Sequence, residues 1–285
     1  MSVERETLSF KSLDGTSDIN ARFWVDSELE PKGVVQLVHG MAEHIDRYDE
    51  FARFLASRGF AVCGHDHIGH GGSVEDSSQL GHMPMKGGAD ILIADVDSLR
   101  KVASTRYPGL PYFIFGHSMG SFVTRCYLAR YGEGLAGAIL CGTGNQPAAL
   151  SAGGNALCHL IGVIKGSDYR SKLIDNLAAG GFNNAIDNPR TAVDWISHNK
   201  ENVDAYLADG RCGFMFSAGA YAALTSLTRE AVSKACVNAY PKGLPLLYVA
   251  GEEDPVGDCG KGVRAAAKLA RSAGLDDVQV KLYPH

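Results

Sequence analysis

Long apolar runs are missing from this 285-residue chain. No stretch reads as long and unbroken enough to cross a bilayer, and Met1 to Phe10 are polar where a secretory leader carries an apolar core. The sequence therefore predicts neither a membrane span nor a secreted product. Charge of one sign is also scarce. With 27 Lys and Arg against 32 Asp and Glu, the formal net charge is -5 and the basic residues are scattered. No polybasic run offers an electrostatic hold on nucleic acid or anionic lipid. Paired cysteines are absent too: the seven cysteines lie far apart and none forms a Cys-x-x-Cys pair. Reduced thiols in a cytoplasmic protein are expected rather than a disulfide framework. Repeats and low-complexity tracts are not visible. What remains is a chain 45% hydrophobic and 21% charged, long enough to bury one elaborated α/β core or a core with an insertion.

Strand and helix patterns alternate along most of it. Residues 6–12 and 19–25, separated by the turn pair Asp14-Gly15, read as an antiparallel hairpin. Further apolar runs lie at 34–38, 60–64, 112–115, 135–141, 246–250 and 278–283. Several are apolar on consecutive residues, as strands covered on both faces are. Helical spacing fills 48–57, 90–107, 119–131 and 258–273. The pattern predicts a mostly parallel, doubly wound sheet. Alternation stops between 144 and 228, where 157–164, 191–208 and 214–227 read as helices. The expected division is a core over 1–143 and 229–285, with a helical cap inserted at 144–228.

Gly116-His117-Ser118-Met119-Gly120 is a weak motif by itself, but its setting is specific. A short apolar strand ends at it and an amphipathic helix begins straight after it. So tight a turn brings backbones together, and Gly116 and Gly120 lack the β-carbons that would collide. Ser118 is left on a strained tip at a helix N-terminus, where developing negative charge is favoured. It is read as the nucleophile of a serine hydrolase.

The strand at 34–38 runs into His39-Gly40-Met41-Ala42-Glu43-His44. A strand ending in His-Gly beside such a serine supplies a backbone N–H to an oxyanion hole. The expected donors are the N–H groups of Met41 and Met119, each worth on the order of 3 kcal/mol to the transition state. His39 and His44 are read as loop histidines that tie the turn together. His65, His67 and His70 invite a metal reading, but they sit in one glycine-broken loop with no second ligand group elsewhere. No metal or cofactor is expected.

A carboxylate after the strand at 246–250 can orient a histidine arriving after the last strand. Asp254 is the choice within Gly251-Glu252-Glu253-Asp254-Pro255-Val256-Gly257, with Glu252, Glu253 and Asp258 as alternatives. Cys259 lies near the predicted helix start, where a thiol pKa can be lowered; an ordinary thiol is the plainer reading.

Four segments occur in order: residues 39–48 (His39 to Tyr48), residues 66–73 (Asp66 to Ser73), Gly116-His117-Ser118-Met119-Gly120, and Asp254-Pro255-Val256-Gly257. Together they resemble the monoacylglycerol lipase and lysophospholipase group of α/β-hydrolases, and the resemblance spans nearly the whole core. It implies an α/β-hydrolase fold and an esterase that cleaves fatty-acyl esters in an apolar tunnel under a helical cap. It also implies Ser118 as nucleophile, Asp254 as acid, and Met41 and Met119 as oxyanion donors. The expected partner is a small acyl ester, with no nucleic acid and at most peripheral membrane contact through the cap. Thioester, short-ester or amide hydrolysis on the same fold is the alternative, as is a silent scaffold that binds a small molecule or partner. Within the cap, Leu157, Leu160, Ile161 and Leu227 are the expected wall of the acyl pocket.

One departure stands out. The family places its catalytic histidine about five residues after a tyrosine at the end of the last strand. Here Tyr283 is followed only by Pro284 and His285. The expectation is that His285 is not the catalytic base, and that the chain is cut short of it.

Overall fold

The computed structural model describes residues 2–284. Its sheet has eight strands: β1 (Val3–Lys11), β2 (Asp18–Asp26), β3 (Val34–Val38), β4 (Ala61–His65), β5 (Tyr112–His117), β6 (Gly137–Cys141), β7 (Leu246–Gly251) and β8 (Val278–Tyr283). They lie in the order β1-β2-β4-β3-β5-β6-β7-β8. The hairpin β1–β2 is antiparallel and joins β4 antiparallel; every other pairing is parallel. This is the α/β-hydrolase fold. The consecutive apolar residues of β3 and β4 have the anticipated cause, since all five residues of each are buried. The hairpin turn is built by Asp14, whose Oδ1 accepts the N–H groups of Thr16 and Ser17, with Gly15 at φ 79°.

The helices in chain order are α1 (Asp49–Ala56), α2 (Gly88–Arg106), α3 (Met119–Tyr131), α4 (Ala148–Lys165), α5 (Lys172–Ala178), α6 (Lys200–Ala208), α7 (Ala218–Ala231), α8 (Lys234–Asn238) and α9 (Lys261–Ser272). Helix α1 covers one face of the sheet through Ala52 and Ala56 against Val35, Leu37 and Val62. The larger apolar cluster joins α2, α3, α7 and α9 to the sheet, with Val96, Val123, Tyr221 and Ala267 fully buried.

Chain order creates the crevice at the top of the sheet. After β3 the chain steps out to β4, then returns past β3 to β5. The reversal puts the ends of β3 and β5 side by side, with Val38 opposite Gly116. Crevices beyond the carboxyl ends of strands at such a reversal are where open α/β sheets bind ligands.

Several predicted boundaries move. The stretch 191–208 is not one helix: a single 3-10 turn at Asp194–Ile196 precedes α6, whose N-terminus is capped by the Asn199 side chain accepting the Glu201 N–H. Helix α9 begins three residues later than expected, because Asp258, Cys259 and Gly260 all have positive φ (49°, 49° and 82°) and cannot be helical. Cys259 is therefore outside the helix. Helix α5, capped by Ser171, gives no clear sequence signal.

The absence of a bilayer-length run also needs correction. Helix α4 is 18 residues long and by length and composition alone could cross a membrane; only 11% of it is buried. It lies along α7 instead, through glycine and polar contacts. A β-carbon at Gly154 would stand 3.3 Å from Thr225 Cγ2, and Asn155 Nδ2 donates to Ala222 O, Thr225 Oγ1 and Ser226 Oγ.

Candidate active site

The turn from β5 into α3 carries Ser118 at φ 51°, ψ -119°. An L-residue there is strained by about 1–3 kcal/mol, a cost met only where the surroundings dictate it. The surroundings do so. A β-carbon on Gly116 would stand 2.4 Å from Thr124 Oγ1 and 2.5 Å from Gly120 O. One on Gly120 would stand 2.1 Å from Val38 O, so α3 can approach β3 only through glycine. The Ser118 N–H is itself held by Cys141 O at 2.9 Å.

The loop after β3 is pinned at Gly40 and Ala42. Gly40 N–H donates to Glu43 Oε1 at 2.5 Å, and Gly40 O lies 2.8 Å from His39 Nδ1. Ala42 N–H points at His70 Nε2, 3.4 Å away. Among the described residues, Met41 N–H and Met119 N–H are left without a hydrogen-bond acceptor, and both residues line the same cavity as Ser118. The histidines of the two neighbouring loops form the backing. His39 Nε2 accepts the His67 N–H at 3.0 Å, and the rings of His39, His65, His67 and His70 pack edge-on or tilted, with neighbouring centroids 4.3–6.0 Å apart. Burial keeps these imidazoles neutral, with His65 lowered to about 3 and His70 to about 4.

Residues to which the sequence pattern assigns no role form a second layer. Glu43 is fully buried, and Oε1 lies 2.8 Å from Tyr48 Oη and 3.2 Å from His117 Nδ1. Arg47 Nη1 binds its other oxygen. Burial alone would raise this carboxyl, but His117 and then Arg47 hold it well below the ordinary range. Glu43 therefore stays ionised and ties the loop to the serine turn. The signal lies in the spacing: an acid three residues after Gly40 can reach back to its N–H.

Asp254 sits in the turn after β7, half-buried, with Oδ1 accepting the Val256 N–H at 2.9 Å. Burial pushes its carboxyl above the usual range, opposed by that N–H and by His117. Its Oδ2 and His117 Nε2 lie 3.5 and 3.7 Å from where a β-carbon on Gly142 would be. Glu252, Glu253 and Asp258 are exposed, and His198 Nε2 lies 3.0 Å from Glu253 Oε2. Ser118, Met41, Met119 and Asp254 thus line one cavity of about 1680 Å³, with much of its wall drawn from residues 146–228, here called the roof. No described histidine hydrogen-bonds Ser118 Oγ, and His285 lies outside the described residues.

The roof corrects the expected pocket wall. Leu157 lines the cavity, joined by Ile174 and Leu224. Leu160 is exposed, Ile161 packs against the core without reaching the cavity, and Leu227 is fully buried in the core. Helical periodicity locates an apolar face, but α4 has two neighbours, the cavity and α7, and the pattern does not separate them.

Two trios of donor atoms lie within 4.8 Å of one another: His44, Asp209 and Cys212, and Cys126, Glu230 and Cys236. In the first, His44 Nε2 and Asp209 Oδ2 are 2.7 Å apart, a hydrogen bond shorter than ligands around one ion allow, and Arg211 lies 3.5 Å from the other carboxylate oxygen. That trio is a clasp between loop and roof. In the second, Glu230 is engaged by Arg130, and the thiols Cys126 and Cys236 donate to Leu227 O and Arg125 O.

A family profile described as serine aminopeptidase, S33, matches residues 29–285. The human monoglyceride lipase is 30% identical over 265 residues, 92% of this chain and 77% of that one. A monoacylglycerol lipase of Mycolicibacterium smegmatis is 28% identical over 285 residues, covering 100% of this chain and 90% of the relative. Among solved structures, a thermostable carboxyl esterase from Bacillus coagulans in complex with glycerol superposes with a TM-score of 0.91 at 32% identity, over 98% of this chain and 90% of the other. The chain belongs to the serine aminopeptidase S33 family of α/β-hydrolases.

Proposed function

We propose that this protein is a serine carboxylic ester hydrolase that cleaves fatty-acyl monoesters, monoacylglycerols or lysophospholipids, through an acyl-enzyme. The observation that carries the reading is the strained Ser118 in one cavity with Met41 and Met119, a cavity large enough for an acyl chain. In this mechanism Ser118 Oγ attacks the acyl carbonyl, and a histidine acting as general base takes its proton. Asp254 steadies the resulting imidazolium, and the N–H groups of Met41 and Met119 hold the oxyanion. The alcohol leaves with the proton, and water repeats the sequence on the acyl-enzyme.

The substrate class rests on the lipase relatives and on the roof. Leu157, Ile174 and Leu224 give the cavity an apolar wall. Outside the cavity lining, Leu160, Val163 and Ile164 of α4 and Leu173 of α5 are exposed. This apolar patch fits peripheral contact with the lipid phase that holds such substrates. The test is hydrolysis of a panel: 1-oleoylglycerol, oleoyl-lysophosphatidylcholine, oleoyl-CoA, p-nitrophenyl butyrate and an amino-acid p-nitroanilide. The expected result is highest kcat/KM on a long-chain oxygen ester. Preference for the anilide or the thioester would overturn the substrate assignment while leaving the nucleophile in place.

A further inference from the structure

The loop that carries Met41 is held from the roof as well as from below. Ala42 sits at φ 52°, a left-handed conformation that an alanine adopts only under constraint. Its carbonyl accepts two hydrogen bonds from the roof: Tyr206 Oη at 3.1 Å and Gly213 N–H at 3.0 Å. Between those two donors the chain makes two further ties to the same loop. Asp209 binds His44 at 2.7 Å, and Arg211 Nη1 reaches Asp46 Oδ2 at 3.3 Å. The Arg47 guanidinium lies 5.0 Å from the centroid of the Tyr206 ring, while its Nη1 binds Glu43. Four hydrogen bonds or ion pairs from eight consecutive residues, 206–213, therefore land on residues 42–46.

We propose that residues 206–213 are a strap that sets the oxyanion loop, with Tyr206 as a positioning residue for the Met41 N–H. The inference rests on the assignment of Ser118 as nucleophile and Met41 as oxyanion donor. Ala42 has its N–H toward His70 and its carbonyl toward the strap, so both flanking peptide planes are oriented. Losing a donor to this carbonyl lets the uphill φ of Ala42 relax, which swings the peptides on either side. Met41 N–H lies one peptide away. Reacting groups displaced by about 1 Å can cost on the order of a hundredfold in rate, and one oxyanion donor is worth roughly 10²–10³ in kcat. With the Gly213 N–H still in place, removal of the Tyr206 hydroxyl releases only part of that. Movement of the roof is thereby coupled to the chemistry as well as to substrate entry.

The test is Tyr206→Phe in the 285-residue chain, assayed on p-nitrophenyl butyrate, which has no glycerol for a cavity-lining tyrosine to bind. The expected result is a drop in kcat of about tenfold with KM unchanged within about twofold and an unaltered melting temperature. Affinity for a trifluoromethyl ketone, whose adduct on Ser118 reproduces the oxyanion, should fall by the same factor as kcat/KM. Asp209→Asn, which keeps shape but removes the charge between His44 and Arg211, should lower kcat in the same direction by about threefold. Unchanged kcat in both variants would overturn the strap. So would a rise in KM alone, which makes Tyr206 a substrate contact, or a kcat loss that tracks a falling melting temperature. Ser118→Ala separates the two claims: if it retains the turnover of the unaltered chain, the hydrolase reading fails and the strap with it. If Ser118 is essential and Tyr206→Phe is silent, only the strap fails.

Discussion

The floor of the cavity and its roof are built on different principles. Around Ser118, the loops after β3, β4 and β5 are tied down by buried side chains, as Gly40 N–H is to Glu43 and His67 N–H to His39. Strained or close-packed positions there are glycine or are locked by buried side chains. The roof at 144–228 combines helices of 7 to 18 residues with two 3-10 turns, and it leaves large apolar side chains exposed: Val163 is 85% exposed and Leu160 57%. Its anchoring is concentrated at α7, which is embedded in the core, and at the 206–213 contacts with the oxyanion loop. Geometry for chemistry tolerates little change, while the surface that meets substrate is free to vary between two anchors.

The contrast is most exposed at the centre of the floor. Ser118→Ala should reduce ester turnover by at least a thousandfold while the melting temperature holds or rises, since the alanine contributes no chemistry and little packing. A residual rate above about a thousandth would remove Ser118 from the mechanism. Glu43→Gln comes next. The neutral amide keeps the size but leaves Arg47 and His117 without their shared anion. We expect kcat to fall roughly ten- to a hundredfold, and stability to drop by about 1–3 kcal/mol in urea unfolding, because a buried charge partner is lost. If stability fell and kcat did not, Glu43 would belong to the scaffold alone.

The roof should answer differently. Leu157→Trp narrows the cavity without touching the catalytic loops. It should shift the ratio of kcat/KM for dodecanoyl over butanoyl esters by about tenfold against the longer chain, with the melting temperature little changed. A uniform loss on both chains would place Leu157 in the scaffold and erase the distinction between floor and roof.

The smallest effect is a pH dependence that separates the two regions. The folded-state pKa values of His39, His65, His67 and His70 are all lowered, chiefly by burial. The unfolded chain therefore takes up protons first, and stability present above about pH 6.5 is lost as pH falls toward the folded values. Asp66, Asp95 and Asp254 work the other way: burial raises all three, Asp95 to about 6, so they gain stability as pH falls. Four histidines against three carboxyls should leave a net fall of roughly 2–5 °C in melting temperature between pH 7 and pH 5. Hydrogen exchange should show the loops at 39–44 and 65–70 opening before α4 and α5. Opening of the roof first would mean that the histidine cluster is not what acid attacks.

The floor is largely legible from the sequence because its constraints are local. A strand, Gly-x-Ser-x-Gly and a helix within 20 residues leave few conformations, and the glycines at 116 and 120 mark the close approach directly. Asp254 reaches the same cavity for a similar local reason, since it follows β7, which pairs with β6 beside the serine turn. What is not legible is set by distant partners. Tyr206 and Asp209 are 164 and 165 residues from the groups they hold, and no periodicity announces such a contact. Leu160 and Leu227 share apolar character with Leu157, and only the path of α4 along α7 decides which of them meets the cavity. The break in 191–208 escapes the pattern for a related reason: Asn199 is as good a helix cap as a mid-helix polar residue, and the sequence alone does not choose.

Everything proposed for the floor depends on Ser118 being an activated nucleophile, and covalent capture measures that property itself. The chain is incubated with a fluorophosphonate probe, the intact mass is read, and the modified peptide is sequenced. We expect a single adduct on Ser118, absent from Ser118→Ala and slowed in Tyr206→Phe. No adduct, or one on any other residue, would contradict the assignment.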